Sequence, residues 1–391
     1  MRISTHPIIW CLLLLLSGCV DSYAPEVIQS ANNYLVVDGF INGNGSTTIR
    51  LSRSINIAEK NTYPPEINAS VAIENKNGLR YSLQEDSAGV YTSPQQVLPV
   101  DQYRLHIRTS TGREYASDYV LLKQTPPIDN LEGRAQADGL QIYISAHDET
   151  RQTQYYRWEY TETWAFTSAY WSRWRFGKGN SERRTYFRRT EDIHHCWRTE
   201  SSALINTANT LRLSQDAVRD YRLKLIPSSS GRLQSLYSIL VRQYAMSAAE
   251  FDYWEAIKKN TENIGTLFDP LPSHIQGNVH CLTDDTEPVL GFVGAATVVE
   301  QRLFVDRLTL PNEWHPQNEG YERCTGLNTL LHDSTERHGY NMYKFFADTT
   351  YRVPVTEIRD SRGTIIGFEN QTPDCIDCRL RGSNVKPSFW P

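Results

Sequence analysis

The thiol of Cys19 is the group whose type and position most clearly indicate a chemical modification. It follows Leu16, Ser17 and Gly18, and the two small side chains directly before it would let a peptidase reach the backbone. The apolar run that ends at Leu16 is too short to span a bilayer as a mature helix. A cysteine placed at such a cleavage point can become a thioether to diacylglycerol. The sequence therefore predicts an export signal over residues 1–18 and a lipid on Cys19.

This arrangement resembles the lipobox of bacterial lipoproteins. The resemblance implies cleavage before Cys19, followed by acylation of its sulfur and of the new amino group. Because each buried methylene contributes roughly 0.8 kcal/mol, two or more acyl chains form a stable membrane anchor. We interpret residues 19–30 as a lipidated tether. The alternative is an ordinary secretory signal followed by a structural cysteine.

Five further cysteines could form disulfides or bind a metal. Export to an oxidising compartment favours disulfides, and an odd number leaves one thiol over. The segments His194-His195-Cys196 and His280-Cys281 also offer imidazole and thiolate ligands that suit zinc or copper. We expect a Cys196–Cys281 disulfide with surface histidines there, and no metal or cofactor. The candidate disulfide cysteines are Cys196, Cys281, Cys324, Cys375 and Cys378.

The spacing Cys375-x-x-Cys378 also occurs in thioredoxin-like redox pairs. Such a pair normally opens a helix after a strand, whereas Pro373-Asp374 precede this one and an arginine-rich segment follows. We therefore expect a structural staple that ties the C-terminal tail to the rest of the chain, with Cys324 as a candidate partner.

Tryptophan and arginine alternate within residues 155–198, which is the most unusual composition in the chain. Cross-strand aromatic and arginine pairs within a sheet are one interpretation. A surface for a partner or a small ligand is the other, since Trp, Tyr and Arg are enriched at binding hot spots. The formal net charge of −5 and the expected export argue against nucleic acid. The candidate surface residues are Trp164, Trp171, Trp174, Arg173 and Arg175, and we expect alanine at 171 and 174 to weaken binding without unfolding.

The elements that must position these residues are mainly β-strands. Short alternating segments separated by turns over residues 31–125 predict an immunoglobulin-like sandwich. The prolines at the end of Gln124-Thr125-Pro126-Pro127 mark a boundary. Residues 126–391 are predicted to form a second β-rich domain, with a helix near 247–263 that Ser247 caps. A further strand is expected over Val289 to Val299.

No enzymatic motif is found: the chain lacks His-Glu-x-x-His, Gly-x-Ser-x-Gly, a phosphate-binding glycine loop and a dinucleotide fingerprint. We therefore expect a protein that is not an enzyme.

The C-terminal segment carries a family resemblance. Residues 375–384, followed by Lys386-Pro387-Ser388-Phe389-Trp390, resemble the closing signature of a Bacteroidota lipoprotein family known only as domain of unknown function 4249. Similar matches lie at Leu35-Val36-Val37-Asp38-Gly39, Tyr253-Trp254, residues 265–270, Pro272, Gly277-Asn278-Val279 and Leu290-Gly291-Phe292. A departure is Gly382-Ser383, where a second glycine would be expected.

The resemblance implies an outer-membrane lipoprotein whose gene tends to lie beside that of a TonB-dependent receptor, and it carries over no catalytic residues. We expect a lipid-anchored accessory of such a transporter that binds the receptor and an unknown small ligand in nutrient uptake. Whether the anchor places it on the periplasmic or the cell-surface face stays open. The alternative is a structural or adhesive surface module without a transport role.

Overall fold

The computed structural model describes residues 33–55, 63–178, 184–262, 275–331, 345–346 and 351–391. Cys19, the predicted signal and tether, and the motif segment 265–272 lie outside these ranges. Within them the chain is mainly β, as the sequence predicts.

A ten-stranded sheet and a separate two-stranded sheet form the N-terminal body, which we define as the described residues within 33–122 together with 275–297. The turn residues predicted between the early strands separate them in the structure. The strands from the first part of the chain are β1 (Leu35–Gly39), β2 (Ile41–Asn42), β3 (Thr48–Arg53), β4 (Ser70–Asn75), β5 (Arg80–Ser87), β6 (Val90–Thr92), β7 (Gln102–Arg108), β8 (Glu114–Ser117) and β9 (Val120–Leu121).

Three short strands from much later in the chain complete this body. They are β19 (Val279–Cys281), β20 (Val289–Leu290) and β21 (Ala295–Ala296). β19 pairs with β8, β20 runs parallel to β1, and β21 runs parallel to β2. The predicted domain boundary between residues 125 and 126 therefore does not separate two continuous domains, because strands from residues 279–296 pair with strands before residue 125.

Gly291 explains why the strand expected over 289–299 is interrupted. Its φ of +128° lies in a region that L side chains rarely adopt, and a Cβ there would lie 2.0 Å from the carbonyl oxygen of Val37. The chain bends at this contact with β1 and resumes only in β21 and β22 (Val298–Asp306).

The core of the N-terminal body draws on both halves of its sheet. Alternate residues of β1 and β3 point inward, as do those of β4 and β7, and side chains such as Leu35, Ile49, Ile73 and Leu105 are fully buried. Period-two alternation with one buried face is what the sequence pattern predicts.

Two facing sheets form the main part of the C-terminal body, which we define as residues 123–262 and 298–391 as far as they are described. The first sheet has the order β10-β11-β17 and the second β15-β12-β18-β22, with β16 pairing to β12. Their bounds are β10 (Ile128–Gln136), β11 (Gly139–His147), β12 (Tyr155–Thr167), β15 (His195–Ser201), β16 (Asn206–Asn209), β17 (Ala217–Pro227) and β18 (Leu236–Ala245).

Trp158 lies at the centre of the core between these two sheets. It is fully buried on β12, stacks on Tyr221 with ring centroids 4.7 Å apart, and donates its indole N–H to Gln243 at 2.8 Å. The bond satisfies the polar atom that burial removes from water.

A smaller layer contains a hairpin and a three-stranded sheet. The hairpin is β13 (Trp174–Lys178) with β14 (Arg184–Arg188), and the sheet has the order β23-β25-β24, with bounds Asn328–Leu331, Ile365–Gln371 and Val353–Arg359. Trp174, Phe346 and Phe368 form the core between them. Short helices of one turn lie at Gly231–Leu233, Arg307–Thr309, Pro373–Ile376 (α2) and Cys378–Leu380.

Helix α1 spans Ala248–Glu262, close to the predicted 247–263. The Ser247 hydroxyl accepts the N–H of Glu250 at 3.1 Å, which is the predicted cap. The helix packs on β12 through Arg157, whose guanidinium lies between the rings of Tyr244 and Trp254 at 4.5 and 4.6 Å. Among the described residues, no helix combines the length and apolar character needed to cross a membrane.

Candidate binding surface

The structure separates the five predicted surface residues into buried and exposed groups. Trp171 is 51% exposed, and Arg173 and Arg175 are exposed beside it. Trp164 and Trp174 are only 6% and 7% exposed, so their assignment to the surface is wrong.

Trp164 is buried because it lies on the inner side of β12. The guanidinium carbons of Arg232 and Arg198 lie 4.5 and 5.7 Å from its ring. Arg232 in turn donates to Glu162 at 2.5 Å and to Glu200 at 2.6 Å. Arg198 lies opposite Trp164 on β15, so this contact is a cross-strand aromatic and arginine pair, which is the other interpretation of the tryptophan-rich segment, whereas Arg232 comes from the one-turn helix Gly231–Leu233.

Trp174 is buried because strand alternation turns it toward β25, while Arg175 faces outward. Its ring packs against Tyr186 and Phe368 with centroids 5.7 and 6.0 Å apart, and its N–H donates to Glu357 at 2.5 Å. This bond is the main reason that the pKa of Glu357 lies below its usual value. The expectation that alanine at 174 leaves the fold intact is therefore inconsistent with the structure.

Trp171 is held rigidly although half of it is exposed. The guanidinium carbon of Arg173 lies 4.7 Å from its ring centre. The His194 ring is nearly parallel to it, with centroids 5.9 Å apart and an interplanar angle of 12°, and His195 approaches edge-on at 6.3 Å. We call Trp171, Arg173, Asp192, His194 and His195 the Trp171 surface.

Asp192 fixes the two histidines of this surface. Its carboxylate accepts the backbone N–H groups of His194 and His195 at 2.8 and 3.0 Å and pairs with His195 Nδ1 at 2.9 Å. Burial works against the charged carboxylate, but these hydrogen bonds prevail and lower the pKa of Asp192. Burial, with the neighbouring His195, lowers the pKa of His194, whose Nδ1 is joined to the Ser168 hydroxyl at 2.8 Å. Near neutral pH, Asp192 is charged and His194 is neutral.

Two disulfides fix the C-terminal segment, and one of them joins it to the residue that directly follows the two histidines of this surface. Cys196 pairs with Cys378 and Cys324 with Cys375, so the two cysteines of the Cys-x-x-Cys motif belong to different bridges. The bridge to Cys324 matches the expected staple. The expected Cys196–Cys281 disulfide is wrong, because Cys281 is a buried free thiol on β19 in the other body.

Hydrogen bonds from the same C-terminal segment complete the support of the surface. The N–H of Cys378 donates to the Ile193 carbonyl at 2.9 Å, and the Asn384 side chain donates to the Asp192 carbonyl at 2.8 Å. Sequence reasoning identified the C-terminal motif but not this role. The available signal was that Cys196 directly follows the two histidines.

The groups weighed as metal ligands do not come together. Cys196 is disulfide-bonded, and His280 lies on β19, where it pairs with Asp118 at 3.2 Å. Within the described ranges, one group of three potential ligand residues converges, namely Cys324, Asp374 and Cys375. Both of its sulfurs are in a disulfide and do not offer thiolates.

These features define a mainly β protein with a rigid, disulfide-supported aromatic and arginine surface. The chain belongs to the family described as domain of unknown function (DUF4249), whose model matches residues 20–302. The motif at 375–390 lies beyond the matched range.

Comparison with other known proteins adds little. No curated protein matches the chain. A solved structure titled as a cytokine receptor complex is 10% identical, covers 54% of this chain and 90% of its own, and has a TM-score of 0.19. Another, titled as manganese lipoxygenase of Gaeumannomyces graminis with part of zonadhesin of Komagataella pastoris, is 9% identical, with coverages of 56% and 90% and a TM-score of 0.15. Superpositions this weak carry no argument.

Proposed function

We propose that the protein is a non-enzymatic lipoprotein of the outer membrane that serves as an accessory to a TonB-dependent transporter in nutrient uptake. The observation that carries the proposal is the Trp171 surface. Trp171 is half exposed, and an arginine and two histidines already hold its ring in one position. A partner that binds this ring therefore causes little further loss of side-chain entropy.

The proposed fold and location are consistent with this role. We take the N-terminal body as an immunoglobulin-like module, which its antiparallel strands and single core support, and α1 as an insertion in the second β-rich region. The small residues before Cys19 support a lipid anchor there. An anchor beside the membrane raises the effective concentration of the protein toward any membrane partner.

Co-purification tests the partnership. The tagged full-length protein is captured from gently solubilised outer membranes, and the captured proteins are identified by mass spectrometry. We expect a TonB-dependent receptor with the wild-type protein and its loss with Trp171→Ala. Tyr63→Ala is a matched control, because Tyr63 is 68% exposed and lies in the other body. Capture without any such receptor refutes the transport role and favours the adhesive alternative.

Metabolic labelling with a palmitate analogue tests the anchor separately. Wild-type protein should incorporate the label and sediment with membranes, whereas Cys19→Ala should do neither. Labelling that persists in the variant would overturn the assignment of Cys19.

A further inference from the structure

Two arginines at the start of the β13–β14 hairpin carry positive charge without a neutralising partner. Arg173 immediately precedes β13 and Arg175 lies within it, and exposure alternates along residues 171–175, so both face away from the buried Trp174. Both are exposed, and neither forms an ion pair with a carboxylate in the part of the chain that the structure describes. This pair stands out in a chain with a formal net charge of −5.

Each of these guanidinium groups lies over an aromatic ring. The distances from the guanidinium carbon to the ring centre are 4.7 Å for Arg173 over Trp171 and 5.9 Å for Arg175 over Phe187. Arg188 lies opposite Trp174 in the hairpin, 5.1 Å over the Trp174 ring, and therefore belongs to the other face. Such contacts restrict the long side chains while leaving their N–H donors free. The donors are therefore held in place before any ligand binds.

Acidic groups close to the hairpin are already engaged. Glu357 accepts the indole N–H of Trp174 and pairs with Arg359 at 3.4 Å. Glu191 and Asp377 both bind Arg379, and Asp192 binds His195. The carboxylates in this region therefore leave the charges of Arg173 and Arg175 unneutralised.

We propose that Arg173 and Arg175 bind a carboxylate-rich segment of a protein partner. Planar guanidinium groups in fixed positions suit bidentate contacts with carboxylates. The inference rests on the proposed function, since it names the chemistry of the partner that meets the Trp171 surface.

The aromatic rings argue for a protein rather than a lipid surface. Aromatic side chains anchor a protein in a membrane interface by placing their rings among the lipid head groups. Trp174 is 7% exposed within the hairpin core, and the Trp171 ring is contacted by both Arg173 and His194. These rings support the arginines and are not free to insert.

Binding of a synthetic peptide of alternating Glu and Gly residues to the full-length protein tests the inference, with a Gln-Gly peptide as the neutral control. The variant carries Arg→Gln at positions 173 and 175. Its matched control carries Arg→Gln at 212 and 222, two exposed arginines that also lack ion pairs among the described residues. Fluorescence anisotropy at several salt concentrations measures the affinity.

We expect the hairpin variant to bind the acidic peptide about tenfold more weakly, with a smaller salt dependence, and the control to bind like wild type. An Arg→Lys set at the same positions keeps the charge and should recover part of the affinity. Equal binding by the hairpin variant and wild type overturns the inference. Binding to phosphatidylglycerol vesicles but not to the peptide also overturns it, in favour of lipid head groups.

The same variant in the co-purification experiment separates the two proposals. If a receptor is captured equally well by the hairpin variant, the transport role stands and the acidic contact is refuted. If no receptor is captured but the peptide result holds, the acidic contact stands and the transport role fails.

Discussion

Trp171 and Trp174 are three residues apart, yet alanine should affect them very differently. Trp174 is 7% exposed, packs against Tyr186 and Phe368, and donates to Glu357. Removing a buried tryptophan costs roughly 3–5 kcal/mol. Trp171 is 51% exposed, and its main loss would be the contact with Arg173, which is about 0.5–1 kcal/mol at an exposed site.

Urea unfolding followed by far-ultraviolet circular dichroism, with the disulfides intact, measures both effects. Since the urea dependence of the free energy of unfolding is typically about 1–3 kcal/mol per molar, Trp174→Ala should lower the unfolding midpoint by about 1 M or more. Trp171→Ala should lower it only slightly. Trp174→Phe serves as a control, because it keeps a ring in the core and loses the bond to Glu357, so its midpoint should lie between those of wild type and Trp174→Ala. Equal midpoints for the two alanine variants would refute the assignment of one tryptophan to the core and the other to the surface.

Three further predictions follow from the covalent and backbone geometry. Replacing Cys196 and Cys378 by Ser together opens a bridge with a sequence separation of 182, and loop-closure entropy predicts a loss of about 5 kcal/mol in the free energy of unfolding; an unchanged urea midpoint would contradict this. Cys281 should be alkylated under non-reducing conditions only after denaturation, because its thiol is buried and free, and peptide mapping that finds it labelled in the native protein would argue against that burial. Gly291→Ala should destabilise the protein by about 1–3 kcal/mol, since the added Cβ meets a β1 carbonyl at a strained φ. Thermal unfolding measures this loss. Gly78→Ala is the control, because φ is also positive there but the space is open, and it should lower the free energy of unfolding by less.

Local patterns predicted the strands and the long helix well. The short alternating segments predicted over residues 31–125 correspond to strands of the N-terminal body, and the predicted Ser247 cap lies within one residue of the start of α1 at Ala248. These signals lie within a few residues of the element that they define, so a single sequence contains them.

Those local patterns do not specify which distant segments of the chain pack or pair with each other. The sequence is similarly aromatic and basic around both Trp171 and Trp174. Only Trp174 is buried, and the residues that bury it, Phe346 and Phe368, lie far along the chain. The same difficulty explains the disulfide error. Cys196 and Cys281 lie closer in sequence than Cys196 and Cys378, but β19 takes Cys281 into the other body. Side-chain burial and cysteine pairing depend on topology, which strand patterns do not specify.

The late strands and late cysteines also determine when the molecule can finish folding. A chain emerging N-terminus first, from a ribosome or a translocation channel, presents β1 with one open edge until Val289 and Leu290 arrive. Cys196 cannot form its disulfide until Cys378 has been made, and Trp197 cannot form its backbone hydrogen bonds until Ser383 has been made. An incomplete chain thus exposes unpaired strand edges and reduced thiols, which mark it for proteolysis or aggregation. A chain whose synthesis stops short of residue 375 lacks both disulfides and the backbone pairing of Trp197, so the covalent support of the Trp171 surface forms only after the C-terminal segment has been made.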